Sequence, residues 1–182
     1  MVPKELKGEQ LIPLNEMKTI DRRLYNQYTK KYIQHPERKK LLTQKIPKID
    51  CLFNDVVHLS PIHPNMIYKS LKEMGIQLDD DMEFYQIPVE QLRPNVNVYY
   101  LFKKSNYLSS SIDITPFDIR LLDVGQYDEL LTVPNETIHF YQNGYTKDDP
   151  QFAMFHYIPH VFSLGNINLQ NVETVRWSDS VD

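Results

Sequence analysis

The chain has few of the residues that carry covalent, metal or phosphate-cradling chemistry. One cysteine, Cys51, excludes an internal disulfide and any cysteine-based zinc site. Only five glycines occur, none close together, so there is no glycine-rich phosphate loop, and a Gly-x-Ser-x-Gly elbow is also missing. The longest unbroken apolar run is five residues, Val98 to Phe102, far short of the ~20 residues a membrane-spanning helix needs. Met1-Val2-Pro3-Lys4-Glu5 leads into charge rather than into the apolar stretch of a secretory signal, which favours a cytoplasmic protein with no membrane partner. Ala153 is the only alanine, so helices must be held by apolar stripes and caps rather than by intrinsic propensity.

What is present is enough for a core. The 182 residues are 41% hydrophobic and 24% charged, with 12 Tyr and 8 Phe, which excludes a disordered chain, a coiled coil and a collagen-like repeat. A chain of this size buries roughly 70% of its unfolded surface. The length favours a single domain over 1–182, with a basic helical N-terminal segment over 1–45 and an α+β body over 50–178.

Charge is divided along the chain. Residues 1–50 hold 12 Lys/Arg against 6 Asp/Glu, whereas the remainder holds 8 against 18, within a net charge of -4. Such asymmetry can mark an arm for nucleic acid or an acidic partner. Here Glu16, Asp21 and Glu37 interrupt the basic residues, so packing against the acidic body of the same chain is favoured over a phosphate-binding stripe.

Periodicity predicts the elements. Asn15 is placed as N-cap of a helix whose apolar stripe runs Met17, Ile20, Leu24, Tyr28, Tyr32 and which ends at His35-Pro36. A shorter helix from Pro36 through Leu41-Leu42 completes an N-terminal helical pair. Val56-Val57-His58-Leu59 reads as a strand, and Ser60-Pro61-Ile62-His63-Pro64 as a rigid loop. A helix carrying Ile67, Leu71 and Met74 then stops at Gly75. Strands are expected at Phe84–Ile87 and Val96–Phe102, and a loop at Ser109-Ser110-Ser111. Thr115 to Asp118 has the form of a capped helix start, and a helix is expected over Pro134–Gln142. Strands follow at Phe152–Ile158, His160–Ser163, Ile167–Leu169 and Val172–Trp177. The fold class implied is α+β: the helical pair, then a mostly antiparallel sheet with packed helices.

Histidine is the residue most suited to acid–base work near neutrality. Two local pairs occur, His58 with His63 and His156 with His160. No His-Glu-x-x-His helix is present, and on an extended strand His156 and His160 would lie ~13 Å apart, too far for one ion. No metal and no cofactor are therefore expected. His58-Leu59-Ser60 is half of the paired His-x-Ser/Thr motif of two-histidine phosphoesterases. The other five histidines are followed two residues on by Glu, Asn, Tyr, Ile and Phe, so the second half is missing. Cys51, set in the apolar stretch Ile49–Phe53, reads as an inert buried thiol, and Asp79-Asp80-Asp81 as a solvated turn. Val98-Tyr99-Tyr100-Leu101-Phe102 before Lys103-Lys104 could stack bases, but alternating aromatics in a strand are more often core.

Leu11–Asn15, Lys45–Pro64 and Phe155–Phe162 together resemble a family of uncharacterised "group-specific" proteins of Bacillus-type Firmicutes. That likeness implies a low-GC bacterial or phage setting and no activity. Val57-His58-Leu59-Ser60, with the helix from Ile67 to Gly75 and the late segment Phe155–Leu169, more faintly resembles ADP-ribosyltransferases that modify DNA or RNA. Those bind a nicotinamide dinucleotide through the early His and hydroxyl residue and use a late glutamate. Here the late segment offers His156 and His160 but no glutamate. Two expectations follow. The leading one is a non-catalytic binding or regulatory protein of unknown partner, a protein partner or a nucleotide ligand being possible and nucleic acid at the basic N-terminal segment not favoured. The other is a nucleotide-binding enzyme, with His58 and Ser60 holding the ligand and His156 or His160 as acid–base group. The candidate ligand-binding set is His58, Ser60, His63, His156 and His160.

Overall fold

The computed structural model describes residues 1–3, 5–6, 8–33, 39–102, 107–108, 111–112, 114–144 and 154–180. In chain order the elements are β1 (Gln10–Leu11), α1 (Leu14–Ile20), α2 (Arg22–Ile33), a 3-10 turn at Lys40–Leu42, β2 (Lys45–Ile46), β3 (Cys51–Leu52) and β4 (Val56–Leu59). There follow α3 (Pro64–Glu73), β5 (Glu83–Gln86), β6 (Val96–Tyr100), β7 (Tyr107–Leu108), β8 (Ser111–Ile112), β9 (Ile119–Leu121), α4 (Asn135–Gly144), β10 (His160–Leu164), β11 (Ile167–Asn168) and β12 (Glu173–Arg176). The central sheet is antiparallel, in the order β4-β10-β6-β9, and the two-stranded ladders β1-β11, β2-β3, β5-β12 and β7-β8 surround it. The architecture is α+β with a mostly antiparallel sheet. No helix among the described residues is long and apolar enough to cross a membrane.

An N-terminal helical pair is present as α1 and α2, with a break at Asp21 inside the stretch expected to be one helix. The expected break at His35-Pro36 lies outside the described residues, and Lys40–Leu42 of the expected shorter helix is a 3-10 turn. Asp21 leaves the helical region at φ -148° and ψ 94°, and its Oδ1 accepts the N–H groups of Arg23 and Leu24. That carboxylate is therefore the cap that starts α2. The break also rotates Ile20 out of the apolar stripe, leaving it about half exposed. Asn15 does not cap α1. Pro13 holds that position, while the Asn15 side chain donates to Asp55 at 2.7 Å and ties the helix to the turn before β4.

Both faces of the sheet are covered. On one face Val56, Val98, Tyr100, Ile119 and Phe162 pack with Tyr32, Leu41, Ile46 and Phe53, so the basic N-terminal segment does dock on the body through its apolar side. On the other face Val57 and Val161 meet Leu92 and Ile167. A further cluster joins Ile67 and Leu71 of α3, Tyr141 of α4, Phe84 of β5 and Trp177. Burial of Tyr100 to 2% exposure makes the aromatic strand core rather than a base-stacking platform. The sheet's β9 edge is partly closed, because the Lys48 ammonium donates to the Ile119 carbonyl.

Several local expectations hold. Gly75 ends α3 at φ +75°, with Ile76 N–H reaching back to the Leu71 carbonyl. Thr115 and Asp118 form the reciprocal capping box, although the helix it opens is a single 3-10 turn. Met154–Tyr157, by contrast, is a turn and not part of a strand. Tyr157 adopts φ +58°, a left-handed conformation that breaks any ladder and swings His156 away from the direction of β10. Ser111 belongs to β8, while Ser109 and Ser110 lie outside the described residues.

Candidate functional site

The candidate residues gather where β4 meets β10. Register pairs His58 with Phe162 and Leu59 with Val161. Directly opposed residues of antiparallel strands point to the same face, and neighbours along a strand point to opposite ones. His58, Phe162 and His160 therefore share the face of the aromatic cluster, and Leu59 and Val161 share the other. Ring contacts agree. His58 lies 4.4 Å from Phe53 and 4.7 Å from Phe162, and His160 lies 5.6 Å from Phe102 and 6.2 Å from Tyr100.

Both imidazoles are committed to backbone carbonyls. His58 Nε2–H donates to the Phe53 carbonyl at 2.8 Å, and His160 Nδ1–H donates to the Ile158 carbonyl at 2.7 Å. A carbonyl only accepts, so each contact fixes which ring nitrogen carries the proton. Burial lowers the His160 pKa below the ordinary histidine range. His156 joins the same aromatic cluster through Phe102, 5.4 Å from its ring, but does not border the cleft. It stacks on Phe140 with ring centroids 4.0 Å apart, and burial pulls its pKa down to about 4. His63 sits at the head of α3 as its N-cap, with Nδ1 accepting the Asn65 N–H. Its pKa is lowered by burial, opposed by the nearby Glu129 carboxylate and reinforced by Lys69.

Behind Leu59 and Val161 the two apolar clusters fail to close on each other. The gap is an inner cavity of about 360 Å³, walled by Leu11, Leu59, Phe84, Leu92, Phe155 and Val161. It adjoins an outer cavity of about 460 Å³ bordered by His63, Gln86, Glu129, Asn171 and Glu173. Ser60, Ile62, Tyr85, Ile87 and Tyr127 border both, so the two form one cleft with an apolar floor and a polar mouth. Each volume falls within the range of ~300–1,000 Å³ usual for small-molecule sites. The Ser60 hydroxyl oxygen is buried and has no hydrogen-bond partner among the described residues. The Tyr127 phenol is pushed up to about 12 by burial, with Tyr99 and the Glu129 carboxylate adding to it, so it stays protonated.

Of the five residues singled out from the sequence, His58, Ser60, His63 and His160 border this cleft and His156 does not. Only Ser60 and His63 bring polar side chains toward it, because the rings of His58 and His160 turn to the far side of the sheet. Sequence reasoning missed Ile87, Tyr127 and Phe155, which come from three remote segments. Their one signal is the proline-bracketed loop Ser60–Pro64, which joins β4 to α3 and lines both cavities. The loop is anchored by the Leu130 N–H, which donates to the Pro61 carbonyl at 2.8 Å.

Fold and site together define an α+β protein with a ligand-sized cleft beside its central sheet. Among the described residues no group of three or more His, Cys, Asp or Glu is placed to hold a metal ion. No family model, curated protein or solved structure matches the chain.

Proposed function

We propose that this chain acts by binding rather than by turnover: a non-catalytic cytoplasmic binding or regulatory protein, with the cleft between β4 and β5 as its recognition site. The observation that carries this reading is the orientation of His58 and His160. The two imidazoles that border the inner chamber spend an N–H on backbone carbonyls and lie among aromatic rings, and His63 at the mouth spends its Nδ1 on the Asn65 N–H as the cap of α3. Cys51 adds no nucleophile, since burial and Asp55 push its thiol up to about 11. The resemblance to proteins of Bacillus-type Firmicutes adds a low-GC bacterial or phage setting to the proposal.

The nucleotide-enzyme alternative draws less support from the same geometry. A pyrophosphate needs cations or free backbone N–H groups; no Lys or Arg borders either cavity, and the Met1 amine on the inner one is lowered to about 6 by burial. The head of α3 opens beside the cleft, yet its donors are spent. Pro64 has no N–H, the Asn65 N–H goes to His63 Nδ1, and the Met66 N–H goes to the His63 carbonyl. The test is incubation of the full chain with nicotinamide dinucleotide and with nucleoside triphosphates, read by chromatography. No product is expected from wild type. Release of nicotinamide or phosphate that disappears in His58→Ala would overturn the binding reading.

A further inference from the structure

We propose that the cleft takes a small amphiphilic amine, its apolar body in the inner chamber and its ammonium group at Glu129 and Glu173. This rests on the binding reading above and names the chemistry of the ligand. The inner walls set the first half of the requirement. Leu59 and Val161 of the central sheet, Leu92, Phe84 of β5 and Phe155 supply hydrocarbon to the wall around about 360 Å³, with Met1, Ser60, Tyr85 and Tyr127 also on its border. A group seated there gains by removing this surface from water, whereas a polar or charged group would lose its hydration with little to replace it.

The mouth sets the second half. Glu129 and Glu173 both border the outer cavity, both are exposed, and neither forms an ion pair among the described residues. No Lys or Arg borders either cavity, and the Met1 amine, which borders the inner one, is lowered to about 6 by burial and so is largely uncharged at neutral pH. An anionic head would face two carboxylates with no counter-charge, and a neutral head would leave them as they are. A cationic head gains from both.

Three probes of equal chain length separate the terms: hexylamine, hexan-1-ol and hexanoate, titrated into the full chain at low ionic strength and followed by amide chemical shifts. The amine and the alcohol are expected to shift the same residues around Leu59, Ile87 and Tyr127, with the amine binding about five- to tenfold tighter and hexanoate weakest. In the double variant Glu129→Gln, Glu173→Gln the amine should fall to the affinity of the alcohol while the alcohol is unchanged. These positions are exposed, and Trp177 fluorescence checks that the variant is folded. In Ile87→Trp, which fills the junction, all three should weaken. Hexanoate binding as tightly as hexylamine, or an amine preference that survives the double variant, overturns the amine assignment and leaves a cleft that binds. No cleft shift with any probe, or shifts unaltered by Ile87→Trp, overturns the binding site itself.

Discussion

His58 of β4 and Phe162 of β10 stand directly opposite each other across the sheet, their ring centroids 4.7 Å apart. That pairing decides the character of the site. The next pair along, Leu59 with Val161, must face the other way and supplies the floor of the cleft. A slip of one residue in the β4–β10 register would turn His58 into the cleft and bury Leu59 among the aromatics. The same sequence would then present an imidazole to the ligand. In the structure it presents a hydrocarbon floor.

The protein should lose stability on mild acidification. His156 titrates near 6.5 when unfolded and about 4 when folded, so between those values the unfolded chain binds a proton that the folded chain refuses. Stability is complete above pH 6.5, falls as pH drops toward 4, and levels below it. His63 and His160 are lowered too and act in the same direction. The His156 share is no more than about 3 kcal/mol. Urea denaturation at pH 7.5, 5.5 and 4.5 measures the slope, and His156→Phe, which keeps a ring on Phe140, should flatten it.

Gly165→Ala should destabilise by about 2–3 kcal/mol. Gly165 has φ +126°, and a Cβ there would come within 2.6 Å of Asn95 Oδ1. Asn95 cannot step aside freely, because its Nδ2 donates to Ser163 Oγ at 2.9 Å and to the Asn166 carbonyl at 3.1 Å. The midpoint of urea unfolding should drop with an unchanged slope. A shift below about 0.5 kcal/mol would show that the turn relaxes.

Trp177 closes the cluster between α3 and the β5-β12 ladder. It is 2% exposed, its indole N–H donates to the Asp79 carbonyl at 2.7 Å, and its own carbonyl accepts from Asn65 Nδ2 at 2.8 Å. Trp177→Phe keeps an aromatic ring but loses volume and the indole bond, for about 1–3 kcal/mol. Trp177→Ala should cost about 3–5 kcal/mol. As the only tryptophan, it also makes fluorescence a specific reporter of this cluster in the wild-type chain.

Cys51 should be slow to alkylate. With its thiol pushed up to about 11, the thiolate fraction at pH 8 is roughly a hundredfold below that of an ordinary cysteine. Mass spectrometry of iodoacetamide labelling, native against urea-unfolded, measures the difference. Asp55→Asn removes the carboxylate that disfavours the thiolate and should speed the native reaction modestly. Equal native and unfolded rates would mean that the thiol is not held by its surroundings.

Much of the local structure was legible because it depends on contacts within a few residues. Gly75 as a left-handed stop, the Thr115–Asp118 capping box and the β-runs at Val56–Leu59 and Val96–Tyr100 follow from steric and hydrogen-bonding rules that act over one turn or one strand. The errors arose where a distant group competed with a local one. Asn15 gave up its cap position to bond Asp55, forty residues on. The apolar stripe through Ile20 looked continuous, yet the carboxylate of Asp21 ended one helix and began another. Phe152–Ile158 has strand-like composition, but Tyr157 turns left-handed so that His156 can stack on Phe140.

The site divides in the same way. The pattern of residues along the chain determined an α+β fold and a strand carrying His58 ahead of a proline-held loop, and it assigned the imidazoles a largely structural part. Tertiary structure alone decided which side of that strand meets the cleft. The cleft exists because β10, about a hundred residues beyond β4, inserts between β4 and β6 and brings Val161 beside Leu59, while Phe84, Tyr127 and Phe155 arrive from three other segments. Strand pairing at that separation is selected by the total apolar surface buried, a property of the whole folded chain that no short stretch of it encodes.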